Sequence, residues 1–206
     1  MEVKRRTQAG RSEATRRALV QAGRRLFARH GYGGVGTEAI VREAGVTRGA
    51  MYHQFAGKAE LFEAVFEAVE TSVMTRLARR LDEAERLSGD APDAVELLER
   101  GIEAWLDVCR DREVQQIVLL DGPAVLGWER WREISLRHAG ALLEAALEGA
   151  IAAGHLRSQP VRPLAVVMIA ALDEAALYVA RADDPESARS EMMTALGHLV
   201  GGLAQR

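Results

Sequence analysis

Cysteine occurs once in these 206 residues, at Cys109, and that scarcity excludes an internal disulfide framework and a zinc site built on several thiolates. The same usage fits a reducing compartment, so a cytoplasmic location is expected. Aromatic residues make up 5% of the chain and prolines number five. Ala, Leu, Glu and Arg abound instead, without the β-branched and aromatic enrichment of strands, and an all-α fold is expected. Long apolar runs are missing too. The longest, Leu164 to Leu172, stops at Asp173, well short of the roughly 20 residues that span a bilayer. The N-terminus is basic but has no apolar stretch of the signal-peptide kind, and no membrane partner is expected.

Signatures of catalysis are equally sparse. The five histidines, at 30, 53, 138, 155 and 198, have no metal-binding spacing. G-x-S-x-G and Walker A patterns are absent, and Cys109 has no evident histidine partner. Asp173 and Glu174 are neighbours on a predicted helix, so their carboxylates point apart. No catalytic residue, metal site or cofactor is expected, and the enzyme class is rejected.

Charge is unevenly placed. Residues 1–60 carry 12 cations against 5 acids, and the remaining 146 carry 15 against 25, so the net charge of -3 hides a head of +7 on a body of -10. A basic head suggests a polyanion-binding module joined to a part with another task. A non-specific architectural DNA binder would not need so large an acidic body.

Apolar spacing predicts about nine helices and no strand. Leu19, Ala22, Leu26 and Phe27 recur helically between Ser12 and His30, and Gly31 fits the residue that ends such a helix. "GYGGVG" (31–36) has the outline of a dinucleotide fingerprint, but it follows a helix where that fingerprint needs a strand, and it reads as a connection. Thr37 is a suitable N-cap for a short helix through Ala44, Gly45 makes a turn, and Thr47 caps a second helix to about Phe55. A long helix from Lys58, with Gly57 as cap, carries Leu61, Phe62, Val65, Phe66, Val69, Val73, Leu77 and Leu81. "SGDAP" (88–92) reads as a linker with Pro92 in the next helix's first turn. Further helices are expected up to Cys109, over 111–121 with Gly122 and Pro123 as the break, and over about 128–153, 163–182 and 185–203.

Residues 37–55 form the helix-turn-helix pattern, whose second helix enters the major groove of DNA with its N-terminal residues toward the base edges. Those residues are Thr47, Arg48, Gly49 and Ala50, with Tyr52 and His53 one turn on. Arg48 suits guanine O6 and N7, or a phosphate, with the same fork. Ala50 suits a thymine methyl, while Thr37, Tyr52 and His53 have the reach of phosphate ligands. Met51 and Phe55 are spaced to anchor the helix.

The block "TRRALVQAGRRLFARHGYGGVGTEAIVREAGVTRGAMYHQFAGKAELFEAV", residues 15–65, resembles the DNA-binding domain of TetR-family (tetracycline-repressor-like) transcriptional regulators of bacteria. It covers about a quarter of the chain, and beyond it only the helical architecture matches. The resemblance implies a helix-turn-helix domain over 1–57 and a helical ligand-binding and dimerisation domain over 58–206. Carried over by position, the family's DNA contacts fall on Thr37, Thr47, Arg48, Ala50, Tyr52, His53 and Lys58. Ala50 stands where threonine or serine is common, which puts one polar contact in doubt. The implied function is that of a homodimeric regulator, a repressor released from a palindromic operator by a small molecule. An activator, or a regulator without a ligand, stays open as the alternative.

One helix-turn-helix reads few base pairs, so two-fold dimers reading palindromes are expected. Ala165, Ile169, Leu172 and Ala176, with Met192, Leu196, Leu199, Val200 and Leu203, form stripes on the last two predicted helices and are the expected dimer interface, which family grounds favour over their only closing each subunit's core. A largely apolar effector is expected to meet walls from Trp105, Leu119, Trp128, Trp131, Met168 and Tyr178, oriented by Asp121, Asp173 or Glu174.

Overall fold

A computed structural model describes residues 8–88 and 94–204, and among these the backbone is helical apart from short connections and one isolated bridge, Leu156 to Ala204. Nine helical bodies follow in order. They are α1 (Gln8–His30), α2 (Thr37–Ala44), α3 (Arg48–Gln54), α4 (Lys58–Ser88), α5 (Ala94–Val108), α6 (112–126), α7 (128–152), α8 (Val161–Arg181) and α9 (Pro185–Gly201). Residues 89–92 of the expected linker, and the cations Lys4, Arg5 and Arg6, lie outside the described residues.

The head closes as its turn chemistry predicts. Gly31 ends α1 at φ 67°, donating its N–H to the Phe27 carbonyl at 2.9 Å. Gly45 turns α2 into α3 at φ 66°, a left-handed conformation that favours glycine. The Thr47 hydroxyl caps α3 by accepting from the Ala50 N–H at 3.1 Å. Thr37 does not cap α2. The carbonyl of Gly36 already accepts from Ala39 and Ile40, so the helix starts one residue earlier and Thr37 is its first residue.

Pro123 does not break α6, which continues to Leu126 before Gly127 turns the chain at φ 76°. A π-type stretch, Gln115–Asp121, precedes the proline. Proline has no N–H to give the preceding turn, and the carbonyl of Val118 five residues back accepts instead from the Trp131 indole at 3.1 Å. A wide turn and a side-chain donor therefore absorb the missing bond.

Leu19, Phe27, Ile40, Met51, Leu61, Phe62 and Val65 are fully buried in the head, with Phe27, Tyr32 and Phe62 in mutual ring contact at 5.3–5.8 Å between centroids. Each such large side chain contributes about 1.5–3 kcal/mol. The same row on α4 continues through Phe66, Val69 and Val73 into the body's core, so one helix packs into both regions. Asp173 ends the apolar run but not the helix, as expected: it is buried against Arg132 at 2.9 Å within α8, which runs on to Arg181. By length and composition alone α8 is thus apolar enough to cross a bilayer, but here Ala165, Ile169, Ala175 and Ala176 pack in the core.

Candidate nucleic-acid interface and cavity

On α3, Met51 and, just beyond its end, Phe55 are buried while Arg48, Gly49, Tyr52 and His53 face outward. Helical geometry sets the division, since residues four apart share a face. Arg16 covers the Phe55 ring at 4.5 Å, and Gln54 donates to the Ser12 hydroxyl at 2.7 Å, so α1 holds the anchored side. The Arg48 side chain is mostly exposed, over the Tyr52 ring at 5.6 Å and only 3.9 Å from the exposed Glu38. That loose pairing is weak in water and leaves the guanidinium available to a polyanion. Thr47 spends its hydroxyl on the cap, and Ala50 and Thr37 are half-buried at the same rim. Lys58 is more committed: its ammonium donates to the carbonyls of Tyr32 and Val35, both at 2.9 Å, and lies 3.8 Å from the Tyr32 ring. Two of its three donors thus stitch α4 to the loop before α2.

Helix α6 bolts head to body. The Arg24 fork of α1 donates to Glu113 at 2.7 and 2.6 Å, and this bond, against partial burial, holds the guanidinium pKa above its ordinary value. The Asp121 carboxylate accepts from the Tyr32 N–H at 2.7 Å. On the other side α7 clasps α4 through Arg130 with Glu63 and Arg137 with Glu67.

Helices α4, α5, α7 and α8 line a partly open cavity of about 200 Å³. Met74, Leu77, Leu98, Ile102, Trp105, Leu142, Leu143, Met168 and Leu172 are among its walls. Its polar groups are Glu70, Ser135 and Asp173. Burial, with the nearby Asp173 adding to it, pushes the Glu70 carboxyl up to about 7, opposed only by the Ser135 hydrogen bond. Burial likewise raises Asp173 to about 6 in spite of Arg132.

Of the expected walls, Trp105 and Met168 line this cavity, with Asp173; the others do not. Leu119 and Trp131 are buried elsewhere in the core, Trp131 tied by its indole to Val118. Asp121 belongs to the head–body joint. Trp128, 63% exposed at the start of α7, lies tilted against Trp131 at 5.0 Å between ring centroids, with the Arg132 guanidinium over its ring. Glu174 and Tyr178 lie on the outward side of α8. Bulk and apolarity select aromatic residues, whereas the direction of a side chain on its helix decides the lining. Sequence reasoning misses Glu70, although an acid four residues after Phe66, in a buried row, is a signal legible in the sequence.

The expected dimer stripes divide similarly. Ala165, Ile169, Ala176, Leu196 and Val200 are buried within the single chain, and Ile169 and Leu172 also line the cavity. Met192, Leu172 and Leu203 are half-buried, while Leu199 is 64% exposed. The outward large apolar residues of α8 are Val166, Val167 and Tyr178.

A short helix pair with a glycine turn and an outward arginine, on a helical body with its own cavity, defines a helix-turn-helix regulator. Residues 19–65 match the profile "Bacterial regulatory proteins, tetR family", and residues 95–203, over half the chain, match "Tetracyclin repressor-like, C-terminal domain". The chain belongs to the TetR family: it is a helix-turn-helix transcriptional regulator, not an enzyme. Among its relatives, the transposon Tn10 TetC protein of Escherichia coli is 27% identical over 71% of this chain and 70% of its own. The HTH-type transcriptional repressor BepR of Brucella suis is 32% identical over 55% of this chain and 51% of its own. A solved TetR-family regulator from Pectobacterium atrosepticum superposes with a TM-score of 0.78 at 29% identity, covering 98% of this chain and 99% of that one.

Proposed function

We propose that the protein is a homodimeric, sequence-specific repressor in the bacterial cytoplasm, whose paired α3 helices read a palindromic operator. A largely apolar small molecule filling the cavity lowers its affinity for that DNA. The observation that carries this reading is the continuity of α4, which starts at Lys58 beside the α3 rim and presents Glu70, Met74 and Leu77 to the cavity. A ligand that prefers a different placement of α4 changes the spacing of the two heads, and operator affinity falls reciprocally. The functional division is 1–57 for DNA and 58–206 for effector and dimer, with α4 as the transmitting element.

In the same reading Arg48 contacts bases, Thr37, Thr47, Tyr52 and His53 position the helix on phosphates, and Gly49 and Ala50 allow close approach. Lys58 adds its remaining donor. The dimer forms a four-helix bundle from α8 and α9, through the outward Val166, Val167, Tyr178 and Leu199 and the half-buried Leu172, Met192 and Leu203. The test is fluorescence anisotropy with a duplex selected from a random pool. Arg48→Ala should lose about 1–3 kcal/mol of specific binding, and Tyr52→Phe less, both with the oligomeric mass unchanged. Unaltered affinity in Arg48→Ala removes α3 as the reading helix.

A further inference from the structure

We propose that the cavity takes a hydrophobic monovalent cation, an amine whose ammonium seats on Glu70 while its apolar body lies among Met74, Leu77, Leu142 and Leu143. This names the effector chemistry and rests on the reading of the cavity as an effector site.

Three observations converge on it. The lining of this partly open cavity is almost wholly apolar, which selects for a hydrocarbon or aromatic body. Glu70 is only 3% exposed and lines that space. Its hydrogen-bond partner is the Ser135 hydroxyl, and no cation pairs with it among the described residues. Asp173, by contrast, has Arg132. Of the two carboxylates only Asp173 thus has a guanidinium, and no Lys, Arg or His is among the residues lining the cavity. An isolated buried carboxylate is costly unless it is neutralised or paired. An ammonium supplies both the charge and the N–H donors, whereas a carboxylate or phosphate ligand would meet two acids and no free cation.

The groups around Glu70 also give the site a pH response. From α8 it faces Asp173, which is held by Arg132 of α7, and from α7 the Ser135 hydroxyl. Just past the end of α5 it faces Cys109, whose thiol burial keeps well above its ordinary pKa and therefore neutral. Arg76, farther along α4, is bound to Asp111. Without ligand Glu70 holds its proton up to about 7. An ammonium must displace that proton, so its binding strengthens from about pH 6 to about pH 8, whereas a neutral ligand of the same shape shows no such trend.

The experiment is calorimetric titration of the DNA-free protein with octylamine, octanol and octanoate. At about pH 8 octylamine should bind about tenfold or more tighter than octanol, with octanoate weakest. Its affinity should fall by about tenfold at about pH 6. In Glu70→Gln, which keeps the side-chain shape, octylamine should drop to the level of octanol. Octanol matching octylamine, preferential binding of octanoate, no binding of octylamine, or an unchanged Glu70→Gln overturns the inference. The pH series on the unmodified protein tests the same point without the variant, and an octylamine affinity that stays flat from about pH 6 to about pH 8 overturns it equally. Displacement of the selected operator duplex is read separately. Glu70-dependent amine binding without displacement sinks the effector reading but not the cavity chemistry, and displacement by octanol alone does the reverse.

Discussion

Glu70 shows how one residue sets a condition on the whole molecule. Its folded carboxyl is raised from 4.5 to about 7, so the folded state holds a proton that the unfolded chain has released. Stability from this group is fully present below about 4.5 and is lost as pH rises through about 7. Glu70→Gln removes that dependence. In thermal denaturation it should stabilise the ligand-free protein by on the order of 2 kcal/mol at about pH 8 and by little at about pH 4.5. A variant curve parallel to the parent's across that window would contradict the assignment. Arg48 is the opposite kind of residue: it contributes little to the fold, being exposed and only loosely paired with Glu38, and its proposed role rests on its outward position.

At the scale of elements, α6 combines a π-type stretch with the bonds that tie it to the head. Its Gly122 has no room for a side chain, because a Cβ there would lie 2.9 Å from both Phe66 and Trp131. Gly122→Ala should therefore destabilise the protein by about 1–3 kcal/mol through overpacking, read as a lowered denaturation midpoint at an unchanged slope. Most of this architecture was legible in the sequence. Gly31, Gly45 and Thr47 punctuate the helices where their local chemistry says they should, since caps and left-handed turns depend only on near neighbours. The passage through Gly122 and Pro123 was not legible, because its missing bond is compensated by Trp131, a residue brought close only by tertiary folding. The cavity was half legible for the same reason. Helical spacing gives the apolar stripe of α8, but both the core and the cavity draw on that stripe, and the outward Val166, Val167 and Tyr178 do not stand out by periodicity. The α3 face was the easiest to read because its motif is contiguous.

For the whole molecule, the charge division that first suggested two tasks coincides with the structural one: a basic head carrying α3 and an acidic body enclosing the cavity. In the proposed dimer two such heads are joined, and the exposed Leu199 on α9 is the point at which to test it. Leu199→Glu should halve the mass measured by light scattering, because a buried, unpaired charge at the interface is unfavourable; a mass equal to the parent's places the interface elsewhere. Operator affinity in the dimer should fall with salt at a log–log slope of about 0.9 per phosphate contacted. The most direct single measurement is selection from random duplexes with the parent protein and Arg48→Ala side by side. The account predicts one enriched inverted repeat for the parent, bound about tenfold or more weaker by Arg48→Ala. Enrichment of no sequence, or equal binding by the two proteins, would contradict it.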